Sequence, residues 1–261
     1  MDALAALGRR LRLPPLAPGP IDPGHEALER RILFFGARLA IVAAAVQTVV
    51  HLANVIVLSL RVDLLNADRD FGVFTWASTL ATFAGALLVA LLALVWDAHR
   101  WLLLGLAATL SYFSLDDNLG LHERVAKLGR GWFGIEQFGH LLWPLVFMPL
   151  LAFAFAALWA LSTALRPAAA RLLRGGLGLL VVAVFLEVFA GALLSAGLEK
   201  DDLSYAWEVV AEEGAELAAW ILIATALATA LVSGLLSGPR DYATTSSPEA
   251  SAGSAERITG S

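Results

Sequence analysis

Long apolar runs, each broken or closed by a few polar residues, organise this chain. A transmembrane helix needs about 20 apolar residues at about 1.5 Å rise each. On that measure the pattern predicts six spans, near 34–60, 72–96, 101–123, 139–165, 173–198 and 205–236. The third is purely apolar only from Trp101 to Leu115, and acids occupy its outer end. The expected fold is all-α: a polytopic integral membrane helix bundle whose six transmembrane helices occupy residues 34–237. Residues 238–261, a Ser/Ala/Thr/Glu/Gly run after Pro239-Arg240-Asp241, read as a disordered cytoplasmic tail. No internal repeat is visible.

Residues 1–33 read as a basic, Pro-rich cytoplasmic segment. Its first part, with Leu4, Leu7 and Leu11 on one side, fits a short amphipathic helix or an unstructured stretch equally well. Pro14, Pro15, Pro18, Pro20 and Pro23 then predict an extended linker, because proline fixes φ. Arg9, Arg10 and Arg12 follow Leu4-Ala5-Ala6-Leu7 instead of preceding an apolar core. A cleavable signal is therefore not expected, and the first span serves as a signal anchor.

The polar interruptions carry the chemistry. An acid at mid-membrane costs about 3 kcal/mol on insertion scales. Yet Asp116, Asp117, Asn118, His122 and Glu123 close the third span, Glu187 sits inside the fifth, and Glu208, Glu212, Glu213 and Glu216 open the sixth. Gln47, His51 and Asn54 share one face of the first span at i, i+4 and i+7. Asp116 and Glu123, seven residues apart, lie within about 20° on an ideal helix and about 10 Å apart in height. Glu212 and Glu216 are at i, i+4, where like charges repel unless a cation, a shared proton or water intervenes.

Each group also has a plain structural reading. Glu187 is a protonated acid bonded to a neighbouring helix. Asp116 to Glu123 begin an interfacial loop. Glu208 to Glu216 form a solvated extension, since Leu217 to Leu236 is long enough to span alone. His51 is a buried neutral histidine bonded to a carbonyl. Glu187 resists its plain reading best, because Val181–Leu186 and Val188–Leu194 contain no other ionisable group.

Charge bias turns the acids into a place. Arg9, Arg10, Arg12, Arg30, Arg31, Arg166, Arg171, Arg174 and Arg240 fall on one side of a six-span topology. The opposite joins dilute their basic residues with Asp63, Asp68, Asp70, Glu199, Asp201 and Asp202. Both termini are therefore expected in the cytoplasm, in a bacterial inner membrane, with the acids in the outer half.

Composition narrows the chemistry. The chain is 59% hydrophobic and 16% charged, with a net charge of −5; its mean hydropathy is +0.73. Membrane lipids are its expected surroundings, and no nucleic-acid partner is expected. The absence of cysteine excludes disulfides, thiolate metal sites, Fe–S clusters and a cysteine nucleophile. Carboxylates with one or two imidazoles suit Zn, Fe or Mn.

The first functional reading is a divalent-metal-dependent enzyme acting on a lipid or other amphiphile from the outer face. Its candidate ligands are Asp116, His122, Glu123, Glu187 and Glu212, with Glu213 or Glu216 as catalytic base. His51, Asp117 and Asn118 are further pocket residues. His-Glu-x-x-His, Glu-x-x-His, Gly-x-Ser-x-Gly and phosphate-loop signatures are all absent. The alternative is a proton- or cation-coupled transporter or channel using Glu187, Asp116 and Glu212. A second alternative is a non-catalytic membrane assembly partner.

Phe113-Ser114-Leu115-Asp116-Asp117 with His122-Glu123, and Glu212-Glu213 with Glu216, add a resemblance. This set resembles an uncharacterised group of bacterial multi-pass membrane proteins carrying a Leu-Asp-Glu…His-Glu segment and a later Glu-Glu-x-x-Glu. Asp117 departs from that pattern by one methylene. The resemblance covers spans three to six and implies that these positions act together; it implies no particular activity.

Overall fold

The computed structural model describes residues 13–16, 22–69, 71–121, 124, 142–195, 197, 199 and 202–236. They form six helices: α1 (Pro23–Ile56), α2 (Val73–Val95), α3 (Arg100–Leu119), α4 (Leu142–Ala164), α5 (Pro167–Ser195) and α6 (Leu203–Leu236). The expected all-α membrane bundle is what the chain forms. Five helices are long and apolar enough to cross a membrane. The sixth, α3, falls short of that composition because Asp116, Asp117 and Asn118 fill its last turn. The outward surface is apolar: Trp101 is 83% exposed, Phe71 76% and Ile41 70%. Such a surface suits hydrocarbon as solvent.

Helix ends differ from the expected spans where local chemistry intervenes. Helix α1 starts at Pro23, well before residue 34, so Pro23 opens a helix instead of ending a linker. Asp22 caps it, accepting the Gly24 N–H at 3.2 Å, and proline suits the first turn because its missing N–H has no partner there anyway. Helix α5 likewise starts at a proline, Pro167. Helix α3 ends at Leu119, short of the expected Glu123. Gly120 stops it with a left-handed φ of 56°, and its N–H caps the Asp116 carbonyl at 2.8 Å. His122 and Glu123 lie outside the described residues, as do the predicted tail and most of residues 1–21.

The packing centres on α6, which runs along α1, α2 and α5; α3 covers α2, and α4 packs on α5 and α3. Glycine permits two of these approaches. Gly36 of α1 lies against Thr225, and a Cβ on Gly176 of α5 would stand 2.9 Å from the Ala219 carbonyl oxygen. Leu92, Leu103, Leu106, Leu110, Ile223 and Leu227 fill the centre.

Contacts along α6 define two ends. At one, here the base, Ser233 of α6 meets Glu29 of α1. Residues 13–16 pack there too, with the Leu16 N–H on the Ala164 carbonyl at 3.1 Å. At the other end, the rim, Tyr205 of α6 meets Asp68 in the α1–α2 link. Asn54 braces that link: its amide donates to the Val62 carbonyl at 2.9 Å and accepts the Val62 N–H at 3.4 Å. The brace closes a turn in which Ser59 and Leu60 both hold positive φ, 50° and 58°, a region that disfavours L-residues by about 1–2 kcal/mol each. Asn54→Ala removes both bonds and is expected to destabilise the protein by about 1–3 kcal/mol. Thermal unfolding in detergent measures this; an unchanged Tm would show that the turn stands without its brace.

Candidate functional site

Helix α6 carries the site. Tyr205, Glu208, Glu212 and Glu216 recur every three or four residues and share a face, with Glu213 beside them. At about 1.5 Å per residue, Glu208 and Glu216 differ in height by about 12 Å.

Depth is set by what each residue touches. Glu216 Oε1 accepts the Trp220 indole N–H at 3.1 Å and the Ser78 hydroxyl at 3.4 Å. Ser78 is on the second turn of α2, a 23-residue helix apolar enough to cross a membrane. Glu216 therefore sits below the rim, against the second turn of α2. Tyr205 is at the rim, where its hydroxyl donates to Asp68 Oδ1 at 2.6 Å. Glu208 is one turn from Tyr205; both its carboxyl oxygens are shielded from solvent.

Other elements add carboxyls to this column. Glu187 of α5 is half-buried and lies within electrostatic range of Glu212 and Glu213. Asp117 of α3 and Asp68 of the link also reach Glu213. Thr79 donates to Asp117 Oδ2 at 3.0 Å, and Ser114 donates to the Thr79 carbonyl at 3.0 Å, fastening α3 to α2. Asp116, one position away and so about 100° around α3, lies within range of Tyr112 on its own helix. Asn118 is half-buried at the end of α3.

Seven carboxyls from four elements thus share one region: Asp68, Asp117, Glu187, Glu208, Glu212, Glu213 and Glu216. Among the described residues, no three His, Asp or Glu side chains converge as a group able to hold a metal ion. The expected ligands His122 and Glu123 are outside those residues.

Helix α1 supplies a polar face at the same end. His51 is 2% exposed, and its Nδ1 accepts the Ala67 N–H at 2.9 Å. Nδ1 therefore carries no proton in this arrangement. The plain reading of a carbonyl partner is replaced by a backbone N–H, which ties the link to α1 beside Asp68. One turn deeper, Gln47 is fully buried, and neither amide atom has a hydrogen-bond partner among the described residues. The antiparallel register that sets Ala44 beside Gly214 puts Gln47 near the height of Glu212 and Glu213.

Sequence reasoning passed over Ser78, Thr79 and Trp220 as site residues and read Asp68 only as loop charge. A signal for the first two existed: Thr75, Ser78, Thr79 and Thr82 put four hydroxyls in the outer half of an otherwise apolar run. It also missed Glu29, buried at the base, which accepts the Ser233 hydroxyl at 2.6 Å and faces Arg166 Nε at 3.6 Å.

The family described as a domain of unknown function (DUF8692) matches residues 32–230. The chain belongs to this family. The DUF8692 match contains every polar residue of the site, from Gln47 to Trp220. No curated protein and no solved structure matches the chain.

The two donors on Glu216 yield a direct test. Glu216→Gln retains a side-chain oxygen for Ser78 and Trp220, whereas Glu216→Leu leaves two buried donors unpaired. The leucine variant is expected to be less stable than the glutamine variant by about 1–3 kcal/mol. Equal Tm values for the two would show that Glu216 is not the acceptor that holds α2 and α6 together.

Proposed function

We propose that this DUF8692 protein takes up protons or small cations from the outer side of a bacterial inner membrane, as a proton- or cation-coupled transporter or channel. The observation that carries the reading is the column of seven carboxyls stepping from Asp68 at the rim to Glu216 inside the bundle. Like charges so close repel, and a proton or cation shared among them offsets that repulsion. Glu208, Glu212 and Glu216 follow one another at about 6 Å per step in height, a spacing that water or side-chain motion bridges. Gln47, with an unpartnered carboxamide near the same height, adds a neutral oxygen ligand or a water anchor.

Orientation supports entry from outside. The base carries Arg30, Arg31, Arg166, Arg171 and Arg174, and short basic joins favour the cytoplasmic face. In this reading residues 13–16 and the end of α6 face the cytoplasm, and the rim faces out.

A second reading is the metal-dependent enzyme, favoured by one feature: Asp116 and Asp117 fill the last turn of α3, just before His122-Glu123. Zinc, iron or manganese would be held by Asp116, His122, Glu123, Glu187 and Glu212, with Glu213 or Glu216 as base. That ligand set depends on His122 and Glu123, since the described carboxyls make no such group without them.

Flux and metal content separate these readings. The purified chain in liposomes with an imposed pH or cation gradient is expected to dissipate it. Glu187→Gln, Glu213→Gln and Glu216→Gln are each expected to slow that flux by about tenfold or more, since each removes an intramembrane carboxylate from the path. Absence of flux with near-stoichiometric metal, lost in Glu187→Gln, would favour the enzyme. Absence of both would leave an assembly role.

A further inference from the structure

One buried polar group is left unanswered by the packing. Gln47 of α1 is fully buried, and neither its amide oxygen nor its amide nitrogen has a hydrogen-bond partner among the described residues. Buried polar groups are almost always paired, and an unpaired one is costly. The other two polar residues on this face of α1 are answered: His51 accepts the Ala67 N–H, and Asn54 braces the α1–α2 link.

Helix geometry places that amide. Helices α1 and α6 approach at Ala44 and Gly214, where a Cβ on the glycine would lie 3.8 Å from the Ala44 Cβ. Along one edge of this seam, Thr48 of α1 and Ala211 of α6 line a lateral apolar groove. Successive residues turn about 100°, so Thr48 stands about 40° to the groove side of Ala44 and Gln47 about 60° to the other side. On α6, Ala211 likewise stands about 60° to the groove side of Gly214, and Glu213 about 100° to the other. Gln47 and Glu213 therefore share the side of the seam that faces away from the groove. The antiparallel register, Ala44 with Gly214 and Gly36 with Thr225, sets them within about 3 Å in height. Glu213 is half-buried there, within electrostatic range of Glu216 and Asp117. Among the described residues no basic side chain pairs with it.

The donor set selects the ligand. A proton shared between carboxyls calls on no amide. A carboxamide oxygen beside a carboxylate suits a hard cation stripped of part of its water, because oxygen dipoles replace the hydration shell. Divalent hard cations draw on several carboxylates, and among the described residues no three acids converge as such a group. One carboxylate neutralises a single charge. We infer that Gln47 Oε1 and the Glu213 carboxylate bind one alkali-metal cation between α1 and α6. The site rests on the reading of the carboxyl column as a cation path, and it names the class of that cation and where it is held.

Thermal unfolding of the full chain in mild detergent tests the assignment, with sodium, potassium, calcium and choline chlorides compared at equal ionic strength. Sodium or potassium should raise Tm saturably above choline, because a ligand bound only by the folded state stabilises it. Gln47→Leu and Glu213→Gln should each weaken that apparent affinity by about tenfold or more, as expected for losing one oxygen ligand to a charge. Two positions are used so that a folding defect in one leaves the other decisive. In choline, Gln47→Leu should be at least as stable as the unaltered protein, since an apolar side chain replaces an unpaired amide. Equal Tm in all four salts would overturn the inference and leave Gln47 to water alone. So would a rise with calcium only, or an alkali response that a folded variant keeps. Binding is read separately from flux. Proton flux in liposomes with no alkali response would overturn this site and leave the column reading standing. An alkali response lost in the variants, without any flux, would support the site and remove the transport reading.

Discussion

A carboxyl in hydrocarbon must have its charge or its hydrogen-bonding capacity met by something close, and the bundle is arranged around that constraint. Helix α6 carries four glutamates into the apolar interior and is also the helix most surrounded by others. This coincidence is physical. Only a helix flanked by α1, α2 and α5 can expose acids to protein instead of lipid. The neighbours contribute small polar groups where α6 needs them: the Ser78 hydroxyl at Glu216, Thr79 at Asp117, and the α1–α2 link, pinned by His51 and Asn54, bringing Asp68 to Tyr205.

The two ends meet the constraint in opposite ways. At the base one buried acid, Glu29, is answered directly by a hydroxyl and by the Arg166 guanidinium. Leu16 packs at that end too, near Gly234. Such a pairing joins α1, α6 and the α4–α5 turn and explains itself as structure. At the rim carboxyls meet carboxyls. Glu212 has Glu187, Glu213, Glu208 and Glu216 within electrostatic range, and like charges so placed repel. Between the two ends, the leucines of α2 and α3 and Ile223 and Leu227 of α6 form a continuous apolar layer. An apolar layer thus separates Glu216 from the base.

Much of the bundle was legible in the sequence, and the misses have physical causes. The run between Gly72 and Trp96 is cleanly bounded and predicted α2 within a residue or so. The start of α1 was hidden because Glu26, Glu29, Arg30 and Arg31 make its first turns polar, so hydropathy finds the span but not the helix. Glu187 and the α6 glutamates were visible because charge stands out against an apolar run. Their partners were not, since Ser78 and Glu216 are 138 residues apart and Asp68 and Tyr205 are 137 apart. Asp116 and Asp117 show the finest limit. Both end α3, but which one reaches α6 depends on the rotation of a helix with polar residues on several sides, and periodicity does not fix it. Asp117 proved to be the one within range of Glu213.

The central proposal is that the carboxyl column is reached from the rim and closed toward the base. The chain contains no cysteine, so single cysteines can report accessibility without background. The most direct measurement is labelling of Glu212→Cys, Glu216→Cys and Ile223→Cys by a membrane-impermeant thiol reagent added to one side of sealed vesicles. The account predicts that the first two react from the rim side alone and that the cysteine replacing Ile223 reacts from neither side. Reaction of Glu216→Cys from the base side, or no reaction at Glu212→Cys from the rim, would contradict it.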